Sequence, residues 1–361
     1  MGENLRESAL GVVFRMSRVF GVAPVTFSRS NVHLSRRLMM CSILFFTIIN
    51  ISILAGVVFD FEATPGRRIR VQCNSSAIVW VGSMINIMLI SAVGVYLAPS
   101  RIKYHSLLLN INILIYGNKP DKITFNRKLS LPTLVQLALI FGYIVSVKVL
   151  ILYTGFYYEY FCFTLFEYQF IAVATEVRSV LTMITNALEE LLKTESGTQK
   201  YPEKRQIIIH DLAKAYGDTC DLIRDVNSGF GLQLLLILMS YFFELIVTPY
   251  YLMTALTNRD RDTSYIVLQV FWVLYHLTSM CYVVEPAYLT QLEIEKIEYL
   301  ISRHMRQVKP HEAVYAELQM FRRQLAFTRP TYSPMGVCTL SRQFCISVRV
   351  LNSSCRVSRN S

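Results

Sequence analysis

Blocks of roughly twenty mostly apolar residues recur along this chain, and their length restricts the fold more than any other feature. About 20 apolar residues in helical form cross the ~30 Å hydrocarbon core of a bilayer. Inside that core every backbone N–H and C=O must find a partner within the protein, so blocks of this length specify helices. Six occur, over about 38–59, 77–97, 131–154, 156–176, 230–253 and 264–284. Only 17% of the 361 residues are charged and 53% are hydrophobic, too apolar a balance for a soluble domain of this length. The expected class is an all-α polytopic membrane protein with six transmembrane helices.

Orientation follows from the basic residues in the connections. The N-terminal segment and the stretches after the second, fourth and sixth blocks, the last taken up to Pro330, together hold 26 Lys and Arg, against five in the opposite connections. The poorer set is Arg67, Arg68, Arg70, Arg259 and Arg261. The N-terminus is therefore expected in the cytosol. Apolar residues also recur at helical spacing over 178–192, 205–226, 287–307 and 311–327, which predicts cytosolic helical extensions of the membrane helices. Breaks are expected at 197–204 and 308–312. Residues 1–344 read as one transmembrane domain, and 345–361 as a polar tail.

The formal charge of +11 sits in the connections, which places it against anionic lipid rather than nucleic acid. The eight cysteines show no metal-ligand spacing, and only Cys73 falls clearly outside, so neither a metal site nor an extracellular disulfide is expected. The opening residues show no signal peptide, and Gly2 lacks the Ser or Thr of a myristoylation signal. No nucleophile elbow, zinc-hydrolase helix or phosphate loop is present, so the reading is not an enzyme and carries no cofactor. His276 falls inside the sixth block and reads as a hydrogen-bonded structural histidine.

Polar and aromatic residues cluster toward the outer halves of the expected spans. They are Trp80, Asn86, Lys148, Tyr153, Tyr157, Tyr158, Glu159, Glu244, Tyr250, Tyr251, Gln269 and Trp272. Aromatic faces with a few fixed donors and acceptors suit a pocket for a small polar molecule. The same residues also suit an interfacial aromatic belt with one buried ion pair, Lys148 with Glu159 or Glu244. Asn74-Ser75-Ser76 forms a glycosylation sequon in the first outside loop.

His210 to Leu252 reads HDLAKAYGDTCDLIRDVNSGFGLQLLLILMSYFFELIVTPYYL. Its His, Cys-Asp-Leu, Asn and Phe-Gly in that order resemble the run into the fifth membrane helix of insect gustatory receptors. Glu317-Leu318, Phe321, Gln324-Leu325, Phe327, Gly336 and Leu340 are similar to that family's approach to its seventh helix, and Gly21-Val22-Ala23-Pro24 matches its opening. The resemblance covers about residues 10 to 344. It implies a ligand-gated cation channel built as a homo- or hetero-tetramer with other gustatory subunits. A small-molecule tastant would bind among the outer helix halves, and the seventh helices would line the pore. It further implies the plasma membrane of sensory neurons, contact with membrane lipid and no nucleic acid. The opening tetrapeptide and Thr248-Pro249-Tyr250-Tyr251 look most like the sugar-sensing branch, with a bitter or other contact chemical as the alternative ligand.

The family's last helix carries Thr-Tyr, five mostly apolar residues and Gln-Phe. Thr331-Tyr332 is followed at that spacing by Cys338-Thr339, and Arg342-Gln343-Phe344 lacks the preceding Thr-Tyr. The expectation is a chain without the pore helix, which leaves a non-conducting or modulatory subunit as an alternative. A G-protein-coupled receptor needs the opposite orientation, and a transporter reading lacks an inverted repeat.

Overall fold

The computed structural model describes residues 9–23, 25–27, 32–62, 74–96, 150–194, 202–257, 263–309 and 312–342. These form seven helices: α1 (Ala9–Val19), α2 (Arg36–Glu62), α3 (Asn74–Tyr96), α4 (Leu150–Thr194), α5 (Pro202–Thr257), α6 (Thr263–Met305) and α7 (Ala313–Phe327). Between α1 and α2 lie two three-residue strands, β1 (Val25–Phe27) and β2 (Val32–Leu34), paired antiparallel with Thr26 opposite His33. Among the described residues the remaining regular structure is helical.

Helix α1 is amphipathic, burying Val13, Phe14 and Ser17 and exposing Arg15 and Arg18. It stops at Gly21, whose φ of +70° suits a residue without a Cβ. The N–H groups of Val22 and Ala23 then donate back to the Ser17 carbonyl at 2.7 and 3.0 Å, satisfying the helix end. The helix is fixed to α4 by the Gln169 amide donating to the Ser17 hydroxyl (2.9 Å) and the Tyr158 hydroxyl donating to the Phe20 carbonyl (2.6 Å).

Among the described residues, three helices carry runs long and apolar enough to cross a membrane: Arg36–Ala55, Tyr158–Leu191 and Glu203–Pro249. A shorter apolar run covers Ile85–Tyr96. On α2 the large apolar side chains Met40, Leu44, Ile48, Ile51 and Leu54 point outward, which in water would be costly and in lipid is not.

The division expected between the third and fourth spans, at residue 155, is corrected by the structure. Leu150 to Thr194 is one continuous helix of 45 residues, so the end of the expected 131–154 block belongs to α4. A single glycine in an apolar, aromatic run lowers helix propensity by about 1 kcal/mol and does not end the helix. The rest of that block, residues 131–149, lies outside the described residues, as do Cys73 and the 345–361 tail.

The extensions form as the apolar periodicity predicted. Helix α4 runs through 178–192, α5 is 56 residues long, and α6 is 43. At 1.5 Å per residue, α5 is about 84 Å long, far more than a bilayer requires. Lengths of this order carry one buried core from Phe163 and Tyr241 down to Leu188, Ile209 and Ile301. The break expected near 308–312 separates α6 from α7, which docks through Val314, Leu318, Phe321 and Leu325.

After α7 the backbone of residues 328–342 straps across α5 and α6. The Tyr216 hydroxyl donates to the Thr328 carbonyl (2.9 Å), and the Gln291 amide donates to the Pro330 carbonyl (2.7 Å). Asn227 grips the strap twice. Its amide donates to the Thr331 carbonyl (2.6 Å), and its oxygen accepts from the Ser333 N–H (3.1 Å). Tyr332 is buried edge-on against Phe170 at 5.7 Å. Arg342 closes the strap on Glu285 at 2.7 Å and lies 4.1 Å from the Tyr288 ring.

Candidate functional site

Three stripes of polar and aromatic residues meet where α4, α5 and α6 pack together. On α4 they are Tyr160, Phe163, Thr164 and Glu167, on α5 Tyr241, Glu244 and Thr248, and on α6 Trp272, Tyr275, His276 and Ser279. Each set follows the three- and four-residue spacing that puts side chains on one helix face. Tyr160 lies ten residues into α4, Trp272 nine into α6, and Glu244 thirteen from the end of α5. The cluster therefore sits about 13–20 Å below that end of the bundle, at the depth of the apolar blocks.

The hydrogen bonds can be assigned by donor. A carbonyl only accepts, so His276 carries its proton on Nδ1 and donates to the Trp272 carbonyl at 2.8 Å. Nε2 then accepts from the Tyr160 hydroxyl at 2.5 Å. The Thr164 hydroxyl donates to the Tyr160 carbonyl (3.1 Å), so the Tyr275 hydroxyl donates to Thr164 (3.0 Å). Glu244 accepts from the Trp272 indole N–H (3.3 Å) and the Thr248 hydroxyl (3.4 Å). Glu167 accepts from the Tyr241 hydroxyl. Around these groups the rings pack closely: Trp272 stacks on Tyr275 at 5.7 Å, lies tilted against Tyr160 at 5.0 Å and meets His276 edge-on at 4.9 Å. The sixth-block histidine is thus hydrogen-bonded through both nitrogens.

Of the twelve sequence candidates, the structure brings Glu244 and Trp272 into this cluster, with Gln269 half-buried one turn from Trp272. Asn86 is placed elsewhere, donating to the Leu236 carbonyl at 3.4 Å. Tyr158 turns away toward Phe20, Phe45 and Phe46. Two residues from Tyr160 on a helix is a rotation of about 200°, which explains the opposite direction. Glu159 is buried, and its Oε1 has no hydrogen-bond partner among the described residues. The side chains of Trp80, Tyr153, Tyr157, Tyr250 and Tyr251, though on α3, α4 and α5, lie outside the described residues. So does the whole of Lys148, and with it the expected ion pair.

Tyr160, Thr164, Glu167, Tyr241, Tyr275 and His276 were not among the candidates. Their signal was present as spacing, since each extends a stripe through Glu244 or Trp272 or faces one across the bundle. Among the described residues no group of His, Cys, Asp or Glu is arranged to hold a metal. The cluster offers aromatic faces, with hydroxyls and carboxylates as acceptors.

Helices long and apolar enough to cross a membrane, continuing into one long helical bundle with a polar aromatic cluster between them, describe a polytopic membrane protein. The chain matches the family model described as 7tm Chemosensory receptor over residues 10–349. It belongs to that family of insect chemosensory receptors, which are membrane-embedded receptors and not enzymes. Gustatory receptor for sugar taste 43a of Drosophila melanogaster is 27% identical over 160 residues, 44% of this chain and 36% of that relative. The match thus spans little more than a third of the relative's length. The fold is similar to the insect olfactory receptor OR5 from Machilis hrabei, with a TM-score of 0.65 at 10% identity over 96% of both chains. The same receptor in complex with eugenol gives a TM-score of 0.56 at 11% identity, covering 98% of this chain and 97% of that one.

Proposed function

We propose that this chain is a gustatory receptor subunit of the sensory-neuron plasma membrane. It binds a small tastant of sugar type beside Trp272 and Glu244 and gates a cation conductance as a homo- or hetero-tetramer. The observation that carries the reading is the Trp272–Glu244 pair. An indole holds a carboxylate in place at 3.3 Å, next to the rings of Tyr160 and Tyr275. Sugar hydroxyls donate to carboxylates, and the C–H faces of a sugar ring lie on aromatic planes, so this pairing fits that ligand class. The sugar taste in the name of the Drosophila relative supports the same class. Gln269 and Glu159 supply further polar atoms at this level, and a glycan on Asn74, the first residue of α3, belongs to the same reading. Tastant binding shifts a closed–open equilibrium by its differential affinity for the open state.

The test is whole-cell current from cells expressing the chain, with sugars and bitter compounds applied in turn. Sugar-evoked cation current that Trp272→Ala abolishes without loss of surface expression supports the reading. Current evoked only by bitter compounds replaces the ligand class. A sugar response unchanged in Trp272→Ala moves the site elsewhere in the bundle.

A further inference from the structure

Residues 9–59 contain five arginines, no lysine and no Asp or Glu. That run holds α1 and most of α2, and the turn that follows α1 meets α2 at Gly21. A Cβ on Gly21, three residues beyond Arg18, would lie 3.6 Å from the Ser42 hydroxyl and 3.9 Å from the Phe45 and Phe46 rings. Arg36 and Arg37 are one to two turns before Ser42 on α2. Arg18, Arg36 and Arg37 are all exposed. Beside them stand exposed apolar side chains: Val19 at 80%, Met40 at 65% and Leu44 at 63%. On α2, Arg37, Met40 and Leu44 share one face at three- and four-residue spacing.

We propose that this surface is a binding site for one anionic phospholipid at the inner membrane face. The guanidinium groups take the phosphate and headgroup, and the Val19–Met40–Leu44 surface takes the acyl chains. Two features select a lipid over a free anion or an acidic protein. The basic groups are all arginine, whose planar fork matches phosphate oxygens in pairs. The apolar half of the surface is continuous with the lipid-facing side of a membrane-crossing helix, which an aqueous partner would not reach. The site is also preorganised. Helix α1 is held by the Ser17–Gln169 and Tyr158–Phe20 hydrogen bonds, and Phe20 packs on Phe161 at 4.5 Å. Arg18 is thus presented by a fixed helix end rather than a loose tail. The inference rests on charge and packing around α1 and α2 and is independent of the tastant assignment.

The test uses the purified full chain in a neutral detergent, titrated with dioctanoyl phosphatidylserine, dioctanoyl phosphatidylcholine or inorganic phosphate, with bound species counted by native mass spectrometry. Phosphatidylserine is expected to bind in preference to phosphatidylcholine, and added salt to weaken it. Each arginine near a membrane surface contributes roughly fivefold in affinity, so the R18Q/R36Q/R37Q variant weakens phosphatidylserine binding by more than about tenfold. The R18K/R36K/R37K variant keeps the charge but loses the paired bonds, so its affinity is expected between those of the wild type and the glutamine variant. If the triple glutamine variant is not monodisperse, R18Q and R36Q/R37Q are read separately, and each is expected to weaken binding. Equal binding of both lipids, full displacement of phosphatidylserine by inorganic phosphate, or unchanged affinity in the glutamine variants would overturn the proposal.

Discussion

Replacing Gly94 by alanine tests how closely α3 packs on α4 and α5. A methyl group there would fall 2.1 and 2.3 Å from ring carbons of Phe166 and 2.7 Å from the Gln233 amide nitrogen. Phe166 is fully buried, so the ring cannot swing clear without displacing its own neighbours. Overpacking of this kind costs about 1–3 kcal/mol, and the severity of the overlap places Gly94→Ala at the upper end. Unfolding entropy of about 2.1 cal/mol/K per residue scales to about 0.8 kcal/mol/K over 361 residues, so the loss reads as roughly 1–4 °C in thermal midpoint. Two other glycines supply controls. A methyl at Gly217 would meet Gln324 at 2.6 Å, but the atom it meets is the end of a flexible amide that can rotate away. At Gly82 nothing lies within 4 Å, and alanine gains up to about 1 kcal/mol of helix propensity. The midpoint, followed by fluorescence-detected size-exclusion chromatography after heating, should rank Gly82→Ala at or above wild type, Gly217→Ala close to it and Gly94→Ala lowest. A Gly94→Ala protein as stable as wild type would refute the packing argument.

Four further outcomes are expected. Trp272→Phe keeps a ring beside Tyr160 and Tyr275 but removes the donor to Glu244. It should cost about 1–3 kcal/mol in stability and raise the half-maximal tastant concentration, read in the same current recordings. Asn227→Ala releases both the Thr331 carbonyl and the Ser333 N–H, about 1–2 kcal/mol, and should speed limited proteolysis within 328–342, with Asn227→Asp intermediate because it keeps the acceptor. The Glu189 carboxylate, 2.9 Å away, hydrogen-bonds Lys296 and holds its ammonium above the ordinary value of 10.5. A raised lysine stabilises the fold fully below that value and loses the contribution only as pH rises through the folded one. Lys296→Met should therefore lower the stability by less than about 1 kcal/mol across the neutral range, read as a small drop in midpoint, and the difference should vanish only in strong alkali. Enzymatic deglycosylation should increase the gel mobility of the chain and leave Asn74→Gln unchanged; no shift in the wild-type chain would remove the glycan.

Much of the architecture was legible before any coordinates. The α2 block stood out because its apolar run matches the thickness of a bilayer. The long reach of α4, α5 and α6 was readable because apolar residues keep helical spacing past the membrane blocks, through 178–192, 205–226 and 287–307. The border between the third and fourth blocks was not readable, because an apolar run on both sides of Gly155 gives no stop signal. The short β1–β2 pairing also left no clear trace, since three-residue strands are too brief for an alternating pattern to show.

The candidate site divided along the same line. Composition alone marked Glu244 and Trp272, since a carboxylate and an indole in an apolar block each need a partner. It could not say that they are partners of one another, that His276 accepts from Tyr160, or that Tyr158 faces α1 and α2. A helix in water shows its orientation through an apolar stripe, whereas a membrane helix is apolar on every side and can be rotated about its axis without changing its sequence pattern. The sequence by itself determined how many residues could cross, which connections carry the positive charge, and which family's motifs appear in order. The tertiary structure decided which faces meet, because only close packing of α4, α5 and α6, ring against ring and donor against acceptor, sets each helix's rotation and register.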